Sequence, residues 1–173
     1  MKKVLKWTLV IFLGLIVIGA LLPDTESSNP NSLDTKEQTK EQAADTPGLN
    51  ESARDGKFEF IIKNIQCGIK SVGTSWSKEE AMGQFCKVTV KVTNIGNEAQ
   101  YFFDSNQTLV DTQGREFDSK SLITDDTQMW MTNINPGLSI QGNIFFDVPT
   151  GLNISHIILH DSMFSGGVRI NAN

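Results

Sequence analysis

The sequence predicts an all-β fold for residues 57–173, an antiparallel β-sandwich of about seven to eight strands. Three observations predict it. From Lys57 onward, apolar residues recur with a period of two, as they do in half-buried strands. Short clusters of Gly, Pro, Asn and Asp separate these runs and are typical of turns. No segment of this region has the length and 3.6-residue period of an amphipathic helix, which disfavours helical and βαβ folds.

The clearest predicted strand is the segment 85–93, FCKVTVKVT. Its apolar positions from Cys86 to Val92 share one face, and Lys and Thr alternate on the other. A second alternating run extends from Leu138 to Val148, where Pro149 ends the hydrogen-bonded ladder because it has no backbone N–H. Further strands are predicted near 58–67, 100–103, 108–110, 115–117, 156–160 and 168–170.

Composition divides the chain into three segments. Residues 1–23 hold three Lys and no acid, residues 24–56 hold eight acids and three bases, and residues 57–173 hold twelve acids and nine bases. The net charge is −5. Because phosphate neutralisation by basic residues dominates nucleic-acid affinity, an acidic domain without a basic stripe excludes nucleic acid as a partner.

The first segment, 1–23, is predicted to direct the chain into or across a membrane. Three Lys precede the nearly unbroken apolar run from Trp7 to Leu22. One interpretation is a signal anchor that stays in the membrane, although sixteen helical residues span only about 24 Å against a hydrocarbon core of about 30 Å. The other is a signal peptide cleaved after Ile18-Gly19-Ala20. Both place the C-terminal domain outside: it is held at the cell membrane in the first case and secreted in the second.

The second segment, 24–56, is predicted to be a disordered linker. It is rich in Ser, Thr, Asn, Gln, Glu and Asp and contains almost no apolar residue. Such a composition cannot bury enough surface to offset the entropy of ordering. A flexible chain of about thirty residues spans roughly 30–35 Å, which is enough to hold a domain clear of a membrane.

The only two cysteines, Cys67 and Cys86, are nineteen residues apart. In an exported protein an even number of cysteines predicts a disulfide, and the alternative is a pair of free thiols. A disulfide between Cys67 and Cys86 would close the loop of residues that connects two predicted strands.

Several sequence strings resemble a large bacterial family of exported proteins. They include Cys67-Gly68-Ile69-Lys70-Ser71-Val72-Gly73, Gly83-Gln84-Phe85-Cys86 and the segment 88–97, with later landmarks at Asn135-Pro136-Gly137 and Phe146-Asp147-Val148-Pro149. The shared domain of that family has no known function. The resemblance implies an immunoglobulin-like sandwich similar to that of a secreted mycobacterial immunogenic protein. It implies no catalytic residue and no substrate.

The sequence predicts no catalytic residue, metal site or cofactor. His156 and His160 are four apart in a predicted strand, which separates them by about 13 Å, too far to share one ion. We therefore expect surface histidines. The many Asp residues flank predicted turns, where they cap backbone N–H groups; a weak calcium site formed by a few of them is the alternative. No Gly-x-Ser-x-Gly elbow supports a hydrolase.

Two regions are candidates for a binding surface. One is the excursion 72–83, predicted to be a solvent-facing loop that carries Trp76. The other is Met129-Trp130-Met131, whose consecutive side chains cannot all face one core. Core packing at a sandwich edge is one interpretation of the second region. The other is an exposed anchor for a protein or cell-envelope partner, since aromatic and Met residues concentrate in interfaces.

These observations favour a non-enzymatic extracytoplasmic binding or interaction module. The alternative is a structural or accessory subunit that associates through its sheet edges. A hydrolase is the third and least favoured class.

Overall fold

A computed structural model describes residues 46–122, 124 and 131–173. These residues form ten β-strands and one short 3₁₀ helix at Asp104–Asn106. The strands are β1 (Ala53–Asp55), β2 (Phe58–Gly73), β3 (Lys78–Asn94), β4 (Gln100–Phe103), β5 (Thr108–Asp111), β6 (Glu116–Lys120), β7 (Met131–Ile134), β8 (Ser139–Val148), β9 (Ile154–Leu159) and β10 (Val168–Asn171).

The strands form two antiparallel sheets, so the predicted all-β, sandwich-like fold is confirmed. The larger sheet has eight strands in the order β1-β2-β3-β8-β6-β5-β9-β10, and β4 and β7 form a two-stranded sheet. The terminal strands of the large sheet, β1 and β10, lie against each other. The sheet therefore curves until its two edges meet.

The structure has ten strands where seven to eight were predicted, and the two additional strands are β1 and β7. Each is only three or four residues long and has no apolar alternation. Their strand conformation comes from pairing with β2 and β4, respectively. Local sequence gives little signal for such short strands, because the partner strand supplies the hydrogen bonds.

Residues 72–83, which were predicted to form a loop, are instead the end of a long β-hairpin formed by β2 and β3. β2 and β3 continue as paired strands to Gly73 and Lys78, so only residues 74–77 form the turn. Register shifts follow Ile62, Gln66 and Ile69 along β2. These register shifts are β-bulges, which increase the local twist and let a long hairpin bend. Each bulge also interrupts the alternation of apolar and polar residues, and the sequence therefore did not predict a continuous strand pair here.

The main core confirms the predicted apolar face of β3. Cys86, Val88, Val90 and Val92 are fully buried. They pack with buried residues of β2, β5, β8, β9 and β10 and with Phe102 of β4. The Phe102 ring meets Phe58 edge-on with centroids 5.8 Å apart, which fastens the two-stranded sheet to the large one.

A second apolar cluster lies on the other face of the large sheet. Phe85 and Phe145 meet edge-on with centroids 6.4 Å apart, and Leu122 covers them. Ile69, Val72 and Ala81 of the hairpin pack against this cluster. The face predicted to be polar is therefore partly buried where the hairpin bends.

The hydrogen-bonded domain begins before Lys57. β1 falls inside the range 24–56 predicted as linker, and the backbone N–H of Asn171 donates to the carbonyl of Pro47 at 2.7 Å. The predicted leader 1–23 and most of the predicted linker lie outside the described residues. Within 46–122, 124 and 131–173, no helix is long and apolar enough to cross a membrane.

Candidate functional site

The predicted disulfide is confirmed, since Cys67 and Cys86 are bonded with their Cα atoms 4.0 Å apart. The bond joins β2 and β3 at a bulge, where two residues of β2, Cys67 and Gly68, face one residue of β3. Gly68 has a positive φ of 86°, which few residues with a Cβ adopt. The bulge and the disulfide together mark the point where the distal hairpin, residues 69–85, leaves the body of the domain.

Trp76 lies at the tip of this distal hairpin and is 96% exposed. The hydroxyl of Thr74 accepts hydrogen bonds from the backbone N–H groups of Trp76 and Ser77, both at 3.2 Å. The N–H of Thr74 in turn donates to the carbonyl of Ser77 at 2.7 Å. The turn is thus fixed by its own hydrogen bonds, and it holds the indole outside the fold.

Met131, the described member of the second candidate region, is the first residue of β7 and is 63% exposed. Its direct cross-strand neighbour is Phe103 of β4, which is 38% exposed. Two residues earlier Tyr101 is 55% exposed, and its ring stacks with that of Phe103 with centroids 6.3 Å apart. We call Tyr101, Phe103 and Met131 the β4–β7 face. Met129 and Trp130 lie outside the described residues.

Contacts with the core and with Gln107 hold strand β4 in place behind the β4–β7 face. Phe102, between Tyr101 and Phe103, points the other way and is fully buried in the main core. The buried side-chain amide of Gln107 donates to the carbonyl of Phe103 at 2.8 Å. These contacts orient the two aromatic side chains toward solvent.

The structure separates the two predicted regions. Trp76 belongs to the hairpin of the large sheet, and Met131 belongs to the two-stranded sheet. They are therefore two candidate surfaces on different elements. Tyr101 and Phe103 were missed from sequence, although two aromatic residues at positions i and i+2 of a predicted strand must share a face.

The expectation of surface histidines is wrong for His156. This residue lies in β9 between β5 and β10 and is 8% exposed. Burial lowers the pKa of His156, and the positive charge of Arg169 lowers it further, against a smaller opposing effect of Glu116. Its Nδ1 lies 3.1 Å from the hydroxyl of Ser155.

His160 lies at the end of β9 with its Nδ1 buried, and no described residue hydrogen-bonds to that atom. No cluster of three potential metal ligands occurs within residues 46–122, 124 and 131–173.

Asp111 shows the turn-capping role predicted for the aspartates. Its Oδ1 accepts from the backbone N–H groups of Gln113 and Arg115 at 2.9 and 2.8 Å, and its Oδ2 accepts from Arg115 Nε at 2.7 Å. Burial acts to raise the pKa of Asp111. The hydrogen bonds and the Arg115 charge outweigh burial and lower it.

Comparison with known proteins identifies the family. The family described as "Domain of unknown function (DUF4352)" matches residues 47–170, which is nearly all of the described domain. The chain belongs to the DUF4352 family. Among curated proteins, none is significantly similar in sequence to this DUF4352 chain.

Solved structures of similar fold come from several bacteria. MPT63, a secreted protein from Mycobacterium tuberculosis, is 15% identical with a TM-score of 0.56, over 74% of this chain and 95% of MPT63. The yjhA protein from Bacillus subtilis is 12% identical with a TM-score of 0.54, over 74% of this chain and all of yjhA. An uncharacterised β-sandwich protein from Clostridium difficile is 14% identical with a TM-score of 0.50, over 82% and 97% of the two chains. At these identities the likeness shows the fold.

Proposed function

We propose that this DUF4352 protein is a non-enzymatic interaction module outside the cytoplasm that binds a protein partner through the β4–β7 face. The observation that carries this proposal is the contiguity of Tyr101, Phe103 and Met131. All three are exposed, and Phe103 directly neighbours each of the other two. Aromatic residues and Met are enriched in protein interfaces, and Tyr is among the residues that most often form hot spots.

The contacts that hold β4 in place also favour binding, because they order the face before a partner arrives. Phe102 anchors β4 in the core, and Gln107 holds the carbonyl of Phe103. A surface that is already ordered in the free protein loses less entropy when a partner binds. The β4–β7 face therefore differs from an exposed apolar loop, whose ordering would oppose association.

The extracytoplasmic location rests on two features. The basic and apolar segment 1–23 is typical of an export signal or anchor. The Cys67–Cys86 disulfide is typical of proteins that fold in an oxidising compartment. We propose that the segment stays in the membrane as a single-pass anchor with the domain outside, and the secreted, cleaved form is the alternative.

A second candidate function is that of a structural or accessory subunit that associates through sheet edges. Within the described residues, β4 and β7 form a separate two-stranded sheet. In the large sheet, the outer strands β1 and β10 lie against each other. An extended strand of another subunit could therefore pair with β4 or β7.

Site-specific photo-crosslinking of the full chain in growing cells tests both candidates. A benzophenone amino acid replaces Tyr101 or Met131, and a matched control replaces Gln141, an exposed residue of β8. We expect adducts with one other protein of defined mass from positions 101 and 131. We expect no such adduct from position 141, because it lies on a different sheet.

A second variant relates the adduct to the face itself. Phe103→Ser should abolish the adduct at position 101, whereas Trp76→Ala should leave it unchanged. An adduct made only with a second copy of the chain would support the structural-subunit function. Equal adducts at 101 and 141, or none at 101 and 131, would refute the proposed interaction.

A further inference from the structure

We propose that the distal hairpin binds the headgroup of an anionic phospholipid in a groove between Lys78 and Lys87, with Trp76 at the membrane surface. The proposal rests on the membrane location given above. It concerns a surface separate from the β4–β7 face and has a test of its own.

The groove is an open depression of about 390 Å³ beside the distal hairpin. Its lining is apolar at Ile69, Val72 and Phe145, and Ser71 and Thr124 add hydroxyl groups. Ligand sites usually combine apolar side chains with a few polar groups that orient the ligand. This groove would hold the phosphate and the glycerol carbons of a lipid headgroup.

Two ammonium groups give the groove its charge. Lys78 and Lys87 both line it, and neither forms an ion pair with any of the residues that the structure describes. Lys87 is the direct cross-strand neighbour of Phe145. Ammonium groups are point charges that bind phosphate well.

Three described acids, Glu79, Glu80 and Asp147, lie on the strands around the groove. Glu79 is paired with Lys120, whose pKa is raised by that hydrogen bond. Asp147 accepts from the backbone N–H groups of Met82 and Gly83 at 2.9 and 3.2 Å. Glu80 is exposed on β3, and Lys70 is the remaining base of the distal hairpin. Among these described residues, Lys70, Lys78, Lys87 and Lys120 stand against Glu79, Glu80 and Asp147.

The tip of the hairpin has the side chains of a membrane contact. Trp76 is almost fully exposed on its hydrogen-bonded turn, and Met82 is 93% exposed. Tryptophan is enriched at membrane interfaces, where its ring lies among the headgroups. Basic residues nearby add attraction to anionic lipids.

The residues just before β1 lie on the side of the sheet from which the distal hairpin extends. β1 is antiparallel to β2, so the residues before β1 approach from the end of the sheet toward which β2 runs. Consistent with this, the N–H of Asn50 donates to the carbonyl of Ile62 at 2.9 Å. The described residues before β1 therefore lie on the side of the sheet toward which the distal hairpin extends.

Quenching of tryptophan fluorescence by brominated lipid tests the contact. The full chain carries Trp7→Phe and Trp130→Phe, so Trp76 is the reporter, and it is reconstituted in nanodiscs of brominated phosphatidylcholine with or without phosphatidylglycerol. We expect quenching to be several-fold stronger with phosphatidylglycerol. Lys78→Gln combined with Lys87→Gln should abolish that difference.

The matched control is Lys63→Gln combined with Lys91→Gln, which removes the same charge from β2 and β3 outside the groove. This control should keep the difference between the two lipids. Equal quenching in both nanodiscs, or equal loss in both double variants, would refute the lipid site.

A second measurement detects the groove without a membrane contact. Glycerol phosphate, the soluble headgroup, is titrated into the full chain in phosphatidylcholine nanodiscs while the methyl resonances of Ile69 and Val72 are followed. We expect saturable shifts that are lost in the Lys78→Gln, Lys87→Gln variant. Absent shifts would refute the phosphate site, whereas the crosslinks at Tyr101 would be unaffected either way.

Discussion

Gln107 and His160 are joined by two hydrogen bonds between one side chain and one backbone. The Oε1 of Gln107 accepts from the N–H of His160 at 2.7 Å, and its Nε2 donates to the carbonyl of His160 at 3.3 Å. The same Nε2 also donates to the carbonyl of Phe103. One buried amide therefore connects the end of β9 with the end of β4, behind the β4–β7 face.

Replacing Gln107 by Leu should destabilise the domain. The backbone groups of Phe103 and His160 would lose their partners in a buried site, at about 2–4 kcal/mol in total. We expect the midpoint of thermal unfolding to fall by roughly 10 °C. The control Gln113→Leu, in the exposed turn after β5, should change stability by less than about 0.5 kcal/mol. Equal midpoints for the two variants would contradict this role.

Removing the disulfide should also lower stability. The Cys67→Ala, Cys86→Ala variant opens a loop of the size that predicts about 3 kcal/mol of stabilisation. Denaturant unfolding of the protein and of the variant, each with and without a reducing agent, measures this. We expect the reductant to lower the midpoint of the protein and to leave that of the variant unchanged. A midpoint insensitive to reduction would show that the bond does not stabilise the fold.

The buried His156 should make the domain less stable in mild acid. Its folded pKa is lowered, mainly by burial, so below the unfolded pKa of about 6.5 the unfolded chain binds the proton more readily. Stability should be full above about pH 7 and should fall, by at most about 1.4 kcal/mol per pH unit, until the pH passes the folded pKa. Urea midpoints across this range should be flatter for His156→Gln. An unchanged slope would rule out His156 as the group responsible.

Asp111 should control stability at lower pH. Its folded pKa is lowered by the Arg115 hydrogen bonds despite burial, so its contribution is present above the ordinary carboxyl pKa of about 3.9. That contribution is lost as the pH falls through the folded value. Asp111→Asn should lower the thermal midpoint at neutral pH and weaken its dependence on acid. Asp118→Asn, an exposed carboxylate in β6, is the control and should alter neither.

The sandwich was predictable because the period of two is a local property. In β3 every second residue from Cys86 to Val92 is buried, as the alternation predicts. The disulfide was also predictable, since two cysteines in a chain predicted to be exported have few alternatives. Neither inference needs to know which strands are neighbours.

Where the large sheet extends beyond the main core, the alternation no longer predicts which residues are buried. Met82 shares the face of Cys86 by its even spacing, yet it is exposed because the distal hairpin reaches past the core. Phe85 and Phe145 lie on the opposite face and are buried, because Leu122 and the bent hairpin cover them. A period of two defines two faces, but only the packed elements decide which face is covered.

The sequence by itself therefore determined the strand class and the cysteine pair, since each depends on composition or on neighbouring residues. The tertiary structure decided the strand order, the meeting of β1 and β10 and the burial of His156. It also decided the exposure of Tyr101, Phe103 and Met131, because Phe103 and Met131 lie far apart in the chain and become neighbours only when β4 pairs with β7. The β4–β7 face and the groove beside the distal hairpin both depend on contacts between residues distant in sequence, which local patterns do not encode.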